Sequence, residues 1–338
     1  MRKLFGYCVI AIAAFVSSSA YSAEVNVYSA RKEALIKPVL DNFSQETGIK
    51  VNLITGSADA LISRIDSEGK YSPADILLTT DAGRLVRAKQ QGLTQAFTSE
   101  TIDKQVAPAL RDQEGHWFAL TKRARPIMVA KSNSTLEGLS SYEDLTNPEF
   151  KGQICIRSSS NIYNQSMLAA LIHLEGEAAA SKYATGLVKN FARPPKGGDR
   201  DQIKAMVAGQ CSVAIANTYY LAGMLKSSDP AEVSVAEQVR VIWPNQQGRG
   251  AHVNISGAAL IKNAPNPEEA KQLLDYLLNE KSQAWYAEAN FEYPVREDVQ
   301  WSKTLKGFGE FKAESVPLER VGELNAEALK VMDKAGWK

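Results

Sequence analysis

The stretch from Val25 to Ile54 reads VNVYSARKEALIKPVLDNFSQETGIKVNLI and decides the fold class. Its two ends, residues 25–28 and 50–54, are short apolar runs typical of buried strands. Between them, residues 33–47 predict a helix, because apolar side chains recur at helical spacing. The apolar face of that helix carries Leu35, Val39, Leu40 and Phe43. A strand, a helix and a second strand in this order predict an α/β fold.

The alternation continues beyond Ile54. Residues 58–68 predict a helix, residues 74–78 a strand, and residues 82–91 a helix that Gly92 ends. Repeated strand and helix alternation indicates a mostly parallel sheet covered on both faces.

The chain of 338 residues is longer than one hydrophobic core usually organises, so two lobes are expected. Extended apolar runs at 116–120 and 126–130 flank the basic segment Lys122-Arg-Ala-Arg125, where we place the crossing into the second lobe. A strand predicted at 253–261, after Gly248, returns the chain to the first lobe. The N-lobe is therefore predicted to comprise 23–123 plus 248–298 and the C-lobe 124–247 plus 299–338, with a hinge and a cleft between them.

The N-terminus has the layout of a secretory signal peptide over residues 1–22. A basic start is followed by an apolar stretch, Leu4 to Val16, and a small-residue exit, Ser17 to Ala23. We expect cleavage after Ser22 or Ala23 and an exported, soluble mature chain. The apolar stretch is too short to span a bilayer stably.

Cysteine usage agrees with export. Cys8 lies in the predicted signal peptide, which leaves Cys155 and Cys211 as an even pair. In an oxidising compartment such a pair predicts one disulfide, the alternative being two buried free thiols.

Charge and motifs exclude several function classes. Lys plus Arg total 39 against 38 for Asp plus Glu, so the chain has no basic excess for nucleic acid. No Gly-x-Ser-x-Gly, Walker or His-Glu-x-x-His motif occurs, and the chain has only three histidines. The adjacent carboxylates Glu143 and Asp144 would point to different faces. We therefore expect a binding protein and not an enzyme.

Three tyrosines are the main candidates for ligand-binding residues in the sequence. Tyr219 and Tyr220 end the run that starts at Cys211, and Tyr163 follows a Ser-rich turn, Ser158 to Asn161. Phenol is a weak acid with a pKa of about 10, but a hard tripositive cation displaces its proton. The three tyrosines therefore predict a phenolate site for Fe³⁺; the alternative is half-buried aromatic surface. The Ser-rich turn is either an anion site at a helix start or an ordinary N-cap.

Four motifs resemble the periplasmic ferric-ion-binding proteins of bacterial ABC iron importers, and the similarity covers nearly the whole mature chain. They are Val27-Tyr-Ser-Ala-Arg-Lys-Glu33, Pro73-Ala-Asp-Ile-Leu-Leu-Thr-Thr-Asp81, Asn217-Thr-Tyr-Tyr220 and His252-Val-Asn-Ile-Ser-Gly257. The resemblance implies a type II periplasmic-binding-protein fold, with iron in the interlobe cleft. Tyr163, Tyr219 and Tyr220 match the recurring phenolate ligands of that family. It also implies a periplasmic monomer that delivers Fe³⁺ to a membrane permease and its ATPase.

The chain departs from the family at its first strand, where some members have a histidine ligand and this sequence has Arg31-Lys-Glu33. Three protein ligands leave positions on the ion open, and the resemblance suggests carbonate as a synergistic anion. Three phenolates and a carbonate exceed the ferric charge by two negative charges, which need partners in a cleft. We expect Arg123 and Arg31 to supply them, because a guanidinium donates two parallel hydrogen bonds.

Other residues are weaker candidates. Arg125 is the reserve for Arg123, and Arg249 and His252 are less favoured. Asp81 is expected to cap the helix that starts at Ala82. Tyr28, Glu33 or Asp81 would supply a ligand if no anion is needed. The alternative function is a binding protein of the same fold for a small anion or organic solute.

Overall fold

The βαβ unit predicted over residues 25–54 is present in the computed structural model, which describes residues 23–136 and 138–338. The predicted signal peptide, residues 1–22, lies outside the described residues. Within the described ranges, no helix is both long and apolar enough to cross a membrane.

Two sheets contain the strands. In chain order the strands are β1 (Glu24–Ser29), β2 (Lys50–Thr55), β3 (Ile76–Thr80), β4 (Thr94–Gln95), β5 (Phe118–Ala124), β6 (Ile127–Ala130), β7 (Ile154–Cys155), β8 (Val213–Ile215), β9 (Val239–Ile242), β10 (Val253–Ile261) and β11 (Tyr293–Pro294). The first sheet has the order β11-β5-β10-β3-β1-β2, with β4 beside β10, and the second has the order β7-β8-β6-β9.

The prediction of mostly parallel sheets is confirmed in one sense: most strands of each sheet run in the same direction. In the first sheet β1 to β5 share one direction, and β10 and β11 oppose it. In the second sheet only β6 opposes the other strands. Neighbouring pairs are nevertheless mixed, because β10 and β6 each lie between two strands of the opposite direction.

The chain changes sheets between consecutive strands. It leaves the first sheet after Ala124, enters the second at Ile127, and returns between Ile242 and Val253. The sequence placed the crossing at the basic segment 122–125, and β5 runs through Lys122 and Arg123 before the chain changes sheets. A buried strand tolerates Arg123 because Glu292 lies beside it.

Helices cover both sheets. They are α1 (Lys37–Thr47), α2 (Ala58–Glu68), α3 (Ala82–Gln90), α4 (Glu100–Gln105), α5 (Ile162–Glu175), α6 (Glu177–Lys189), α7 (Asp199–Val207), α8 (Thr218–Leu225), α9 (Pro230–Glu237), α10 (Pro267–Tyr276), α11 (Glu280–Ala289), α12 (Lys303–Lys306), α13 (Leu318–Glu323) and α14 (Asn325–Ala335). The first helix begins later than predicted, because Glu33–Leu35 forms a 3-10 turn and Pro38 sits in the first turn of α1, where its missing N–H costs nothing.

Helix α13 packs on both α3 and α5, and α14 packs on α5 and α6. A side chain at Gly322 would clash with Val86, so α13 lies directly against α3. The assignment of 299–338 to the C-lobe stays a prediction.

The predicted disulfide is confirmed: Cys155 is bonded to Cys211. Cys155 ends β7, which precedes the turn into α5, and Cys211 lies just before β8, which leads into α8. The bridge therefore joins the roots of the two segments that carry Tyr163, Tyr219 and Tyr220.

Candidate functional site

The three tyrosines lie at the starts of two helices. Tyr163 is the second residue of α5, and Tyr219 and Tyr220 are the second and third of α8. Asn161 and Asn217 precede the helices in extended conformation. Because the N-terminal end of a helix carries partial positive charge, both helices favour anionic oxygen at these positions.

A cleft of about 550 Å³ opens beside the tyrosines and is lined by both lobes. Its first-lobe lining includes Arg31, Thr80 and Arg123, and its second-lobe lining includes the three tyrosines with Arg157 and Asp199. The structure thus brings together all five cleft residues that the sequence predicts, Tyr163, Tyr219, Tyr220, Arg123 and Arg31.

Arg123 stands at the centre of the tyrosine group. Its Nη1 donates a hydrogen bond of 3.4 Å to Tyr163 Oη. Its guanidinium carbon lies 4.2 Å from the ring centre of Tyr219 and 5.2 Å from that of Tyr163. The rings of Tyr219 and Tyr220 are themselves 4.3 Å apart. The guanidinium of Arg123 therefore contacts tyrosines at the starts of both α5 and α8.

The tyrosines differ in acidity. Burial opposes ionisation of Tyr163, but the charge of Arg123, the neighbouring hydroxyls of Tyr219 and Thr80, and the hydrogen bond from Arg123 lower its pKa to about 8. Burial raises the pKa of Tyr220 to about 12 and that of Tyr219 well above its ordinary value. Tyr163 is therefore the phenol that ionises most readily.

Glu292 joins the two arginines on the first-lobe side. Arg31 Nη2 lies 2.6 Å from Glu292 Oε2, and Arg123 Nε lies 3.2 Å from Oε1. Thr121 and Ser256 also donate to this carboxylate. Burial raises the pKa of Glu292, but the two arginines hold it below its usual range. Both terminal nitrogens of Arg31 face Glu292 in this conformation.

Asp199 forms a second arginine pair on the opposite side. Its Oδ1 lies 3.0 Å from Arg125 Nη1, and its Oδ2 lies 2.8 Å from Arg157 Nη1. Arg125 and Asp199 are fully buried, whereas Arg157 is partly exposed to the cleft. The guanidinium of Arg157 reaches to 5.9 Å from the ring centre of Tyr163.

Formal charges in these two groups leave an excess of positive charge. Arg31, Arg123 and Glu292 sum to one positive charge, and Arg125, Arg157 and Asp199 sum to another. The tyrosine group is therefore flanked by two net positive charges in a largely buried setting, which favours anionic ligands. Among residues 23–136 and 138–338, no group of three or more His, Cys, Asp or Glu is placed to hold a metal ion.

Comparison with known proteins identifies the family. Residues 72–308 match the model of the bacterial extracellular solute-binding proteins. Iron uptake protein A1 of Synechocystis is 47% identical over 93% of this chain and 88% of its own length. The chain belongs to the bacterial extracellular solute-binding proteins.

Solved structures agree with this assignment. The Trichodesmium protein IdiA (FutA), in complex with iron and citrate ligands, matches with a TM-score of 0.91 and 48% identity over 94% of this chain and 100% of that chain. A ferric binding protein from Campylobacter jejuni matches with a TM-score of 0.89 and 39% identity over 93% and 100%. The type II fold and the resemblance to ferric-ion-binding proteins are thereby confirmed. The family is one of solute-binding proteins and not of enzymes.

In this solute-binding protein, most of the residues that the sequence favoured less as ligands form structural hydrogen bonds or ion pairs instead. Asp81 accepts from Gly83 N at 2.9 Å, as expected of a helix cap, and burial raises its pKa. His252 Nδ1 pairs with Glu314, and Arg249 contacts Glu143 and Glu175. Tyr28 Oη lies 3.2 Å from both carboxylate oxygens of Glu68, and Glu33 is exposed.

Sequence reasoning missed Glu292, Asp199 and Arg157. Glu292 follows Phe291 in a segment without a strand or helix pattern, so nothing local marks it. Asp199 follows two glycines at the start of α7, where an acidic residue is typical of any helix. Arg157 lies just before the Ser-rich turn and was the most accessible to sequence reasoning, because its charge adjoins a predicted anion site.

Proposed function

We propose that this protein binds ferric iron in the interlobe cleft, with Tyr163, Tyr219 and Tyr220 as phenolate ligands. The observation that carries the proposal is the convergence of three phenols, from two helix starts, around the guanidinium of Arg123. Phenolate oxygen is a hard ligand that favours a tripositive ion over softer divalent metals. The similarity to relatives named for iron uptake supports the same cargo.

The lowered pKa of Tyr163 gives this site an entry point for iron. With a pKa of about 8, a fraction of Tyr163 is already phenolate near neutral pH. A first bond to iron at Tyr163 costs less in proton displacement than one at Tyr219 or Tyr220, whose pKa values are raised. We infer that iron binds Tyr163 first and then recruits the paired tyrosines of α8.

The charge of the surroundings supports a synergistic dianion. Three phenolates neutralise the ferric ion, while two net positive charges flank them. Carbonate, with two negative charges, balances this excess. We propose Arg123 as its principal anchor. Arg31 contributes to the field through Glu292, and it would bind the anion directly only after turning from that carboxylate.

Solute-binding proteins of this family work with ABC-transporter permeases. We propose that the chain is exported by its signal peptide, binds iron in the periplasm as a monomer, and delivers it to an inner-membrane permease driven by its ATPase. Closure of the lobes over iron would present the form that the permease recognises.

A visible spectrum tests the proposal against the alternative of an anion-binding protein. Iron is removed with citrate at low pH, and ferric iron is then added with and without bicarbonate. Iron held by phenolates gives a visible charge-transfer band, whereas an anion complex is colourless. A protein that stays colourless with ferric iron but binds carbonate or another small anion would overturn the iron assignment.

A further inference from the structure

Arg125 lies beneath the tyrosine group and lines no part of the cleft. It occupies the crossing between β5 and β6, and its side chain is 1% exposed. Its Nη1 lies 3.0 Å from both Asp199 Oδ1 and Asn217 Oδ1, and its Nη2 donates a 2.6 Å hydrogen bond to Asn164 Oδ1. One guanidinium thus joins the starts of α5, α7 and α8.

The contact with Asn217 fixes the orientation of an amide group. Because Asn217 Oδ1 accepts from Arg125, the opposite end of the amide, Nδ2, is left to face Tyr219. Nδ2 lies 3.2 Å from Tyr219 Oη and donates a hydrogen bond to it. A reversed amide would set its oxygen against Tyr219 and its N–H₂ against a cation, so Arg125 excludes that orientation.

The contact with Asn164 holds the second tyrosine helix in the same way. Asn164 Oδ1 accepts from Arg125, and its Nδ2 donates to the carbonyls of Arg157 at 2.9 Å and Ser158 at 3.2 Å. These carbonyls belong to the turn that leads into α5 and Tyr163. Arg125 is therefore anchored to both tyrosine helices at once.

We propose that Arg125 is a positioning residue that orients Asn217 to donate a hydrogen bond to the Tyr219 phenolate, and thereby tunes the bound iron. The inference rests on the proposed function, since it assigns a role toward an iron ligand. The donor, Asn217 Nδ2, is bonded to Tyr219, whose ring centre lies 4.2 Å from the guanidinium carbon of Arg123.

A hydrogen bond to a coordinated phenolate withdraws electron density from its oxygen. The phenolate then donates less strongly to Fe³⁺, which raises the energy of the charge-transfer band and the reduction potential of the ion. Loss of the bond has the opposite effects. The band should move to longer wavelength, and the Fe³⁺/Fe²⁺ midpoint potential should fall.

Two variants separate this role from general support of the fold. Arg125→Lys keeps the charge but cannot bridge Asn164 and Asn217, and Asn217→Ala removes the donor directly. Asn217 makes no side-chain capping bond to α8, so the second change leaves the helix start intact. Both variants should shift the band to longer wavelength, lower the midpoint potential and weaken ferric binding by roughly 10- to 100-fold.

Asn190→Ala is the matched control. Asn190 is buried like Asn217, and its Nδ2 donates to the carbonyls of Leu145 and Asn147 at 2.8 Å, with no contact to the tyrosines. This variant should lower the urea midpoint and leave the band and the potential of the iron-loaded protein unchanged.

The outcomes are distinguishable. If the wild-type protein gives the iron band but both variants keep the same band and potential, the role of Arg125 is wrong and iron binding stands. If the wild type gives no band, the proposed function itself fails. If Arg125→Lys does not fold, an unchanged band and potential in Asn217→Ala still overturns the inference, because the hydrogen bond that Arg125 is proposed to orient would then have no effect on the iron. A shift of equal size in Asn190→Ala would indicate general loosening and overturn the inference.

Discussion

Ser166 donates a 2.7 Å hydrogen bond to Asp81 Oδ1 and so connects the two lobes. Ser166 lies one turn after Tyr163 on α5, and Asp81 caps α3 at the end of β3. The neighbouring Thr80 lines the same cleft as Tyr163. The interlobe contact and Tyr163 therefore depend on the same helix.

Ser166→Ala should weaken lobe closure without disturbing the cap, because Gly83 still donates to Asp81. A hydrogen bond to a charged group contributes about 1.5 to 3 kcal/mol, so iron affinity should fall by roughly 10- to 100-fold. Small-angle scattering should show the wild type contracting with iron, and the variant contracting only at higher iron concentration.

Ser282→Ala is the control, since Ser282 is equally buried but its hydroxyl donates to the Tyr276 carbonyl of its own lobe. Equal radii of gyration for the iron-free and iron-loaded wild type would argue against closure. Unchanged affinity in Ser166→Ala would exclude a role for this contact.

Removing one phenolic oxygen at a time tests the ligand set. Tyr163→Phe, Tyr219→Phe and Tyr220→Phe should each cost more than the roughly 10- to 100-fold typical of outer-shell partners, because a direct bond to iron is lost. Ferric titrations followed at the visible band give the affinities. Thermal unfolding should show that the fold persists.

Tyr183→Phe is the matched control, and it should leave ferric affinity and the visible band unchanged. Tyr183 lies in α6, and its hydroxyl is buried without a hydrogen-bond partner among the described residues. If one of the three cleft variants keeps the wild-type band and affinity, that tyrosine only packs in the cleft.

The sequence revealed the candidate ligand residues more readily than their surroundings. Tyr163, Tyr219 and Tyr220 stand out because an aromatic pair and a Ser-rich helix start are local features. Strand β10 was predicted with its observed bounds, since Val253 to Ile261 is a mainly apolar segment with β-branched residues at Val253, Ile255 and Ile261. Buried strands and amphipathic helices are marked by their own composition.

The charge partners could not be predicted, because pairing depends on how distant segments fold together. Arg31 and Arg123 meet at Glu292, which lies far along the chain in an irregular segment. Helix α8 was also not predicted, since it is only eight residues long and begins with Thr and two Tyr, which have modest helix propensity. Its position follows from packing.

Arg123→Lys tests the anion anchor. Lysine keeps the charge but not the planar fork that matches carbonate, so the loss should exceed what charge alone implies. We expect weaker ferric binding and a shifted band, with all three tyrosines present. The wild type should likewise bind iron weakly in buffer freed of bicarbonate and recover when bicarbonate or oxalate is added.

Arg296→Lys provides the control, because Arg296 pairs with Asp298 through two nitrogens on the surface outside the cleft. Full affinity and an unchanged spectrum without bicarbonate would refute the synergistic anion. A further protein oxygen would then have to complete the coordination.

Acid should release the iron, because protons compete for every phenolate. Below pH 8 all three tyrosines are mainly protonated in the iron-free protein, so binding displaces three phenolic protons. Between about pH 8 and 12, Tyr163 is already ionised and only two remain to be displaced. The logarithm of affinity should therefore rise with pH, and its slope should fall by one proton as the pH passes 8.

Affinity measured by competition with citrate across this pH range, at constant bicarbonate, gives that slope. The change of slope near pH 8 belongs to Tyr163, whose pKa is lowered against burial by Arg123, so it should disappear in Tyr163→Phe. In Tyr220→Phe the change of slope near pH 8 should remain, but iron binding should release one proton fewer across this pH range. The reason is that the pKa of Tyr220 is about 12, so Tyr220 is protonated across that range in the iron-free wild type. Iron retained without loss at strongly acidic pH would be incompatible with phenolate ligands, because strong acid protonates phenolate oxygen and displaces the ion.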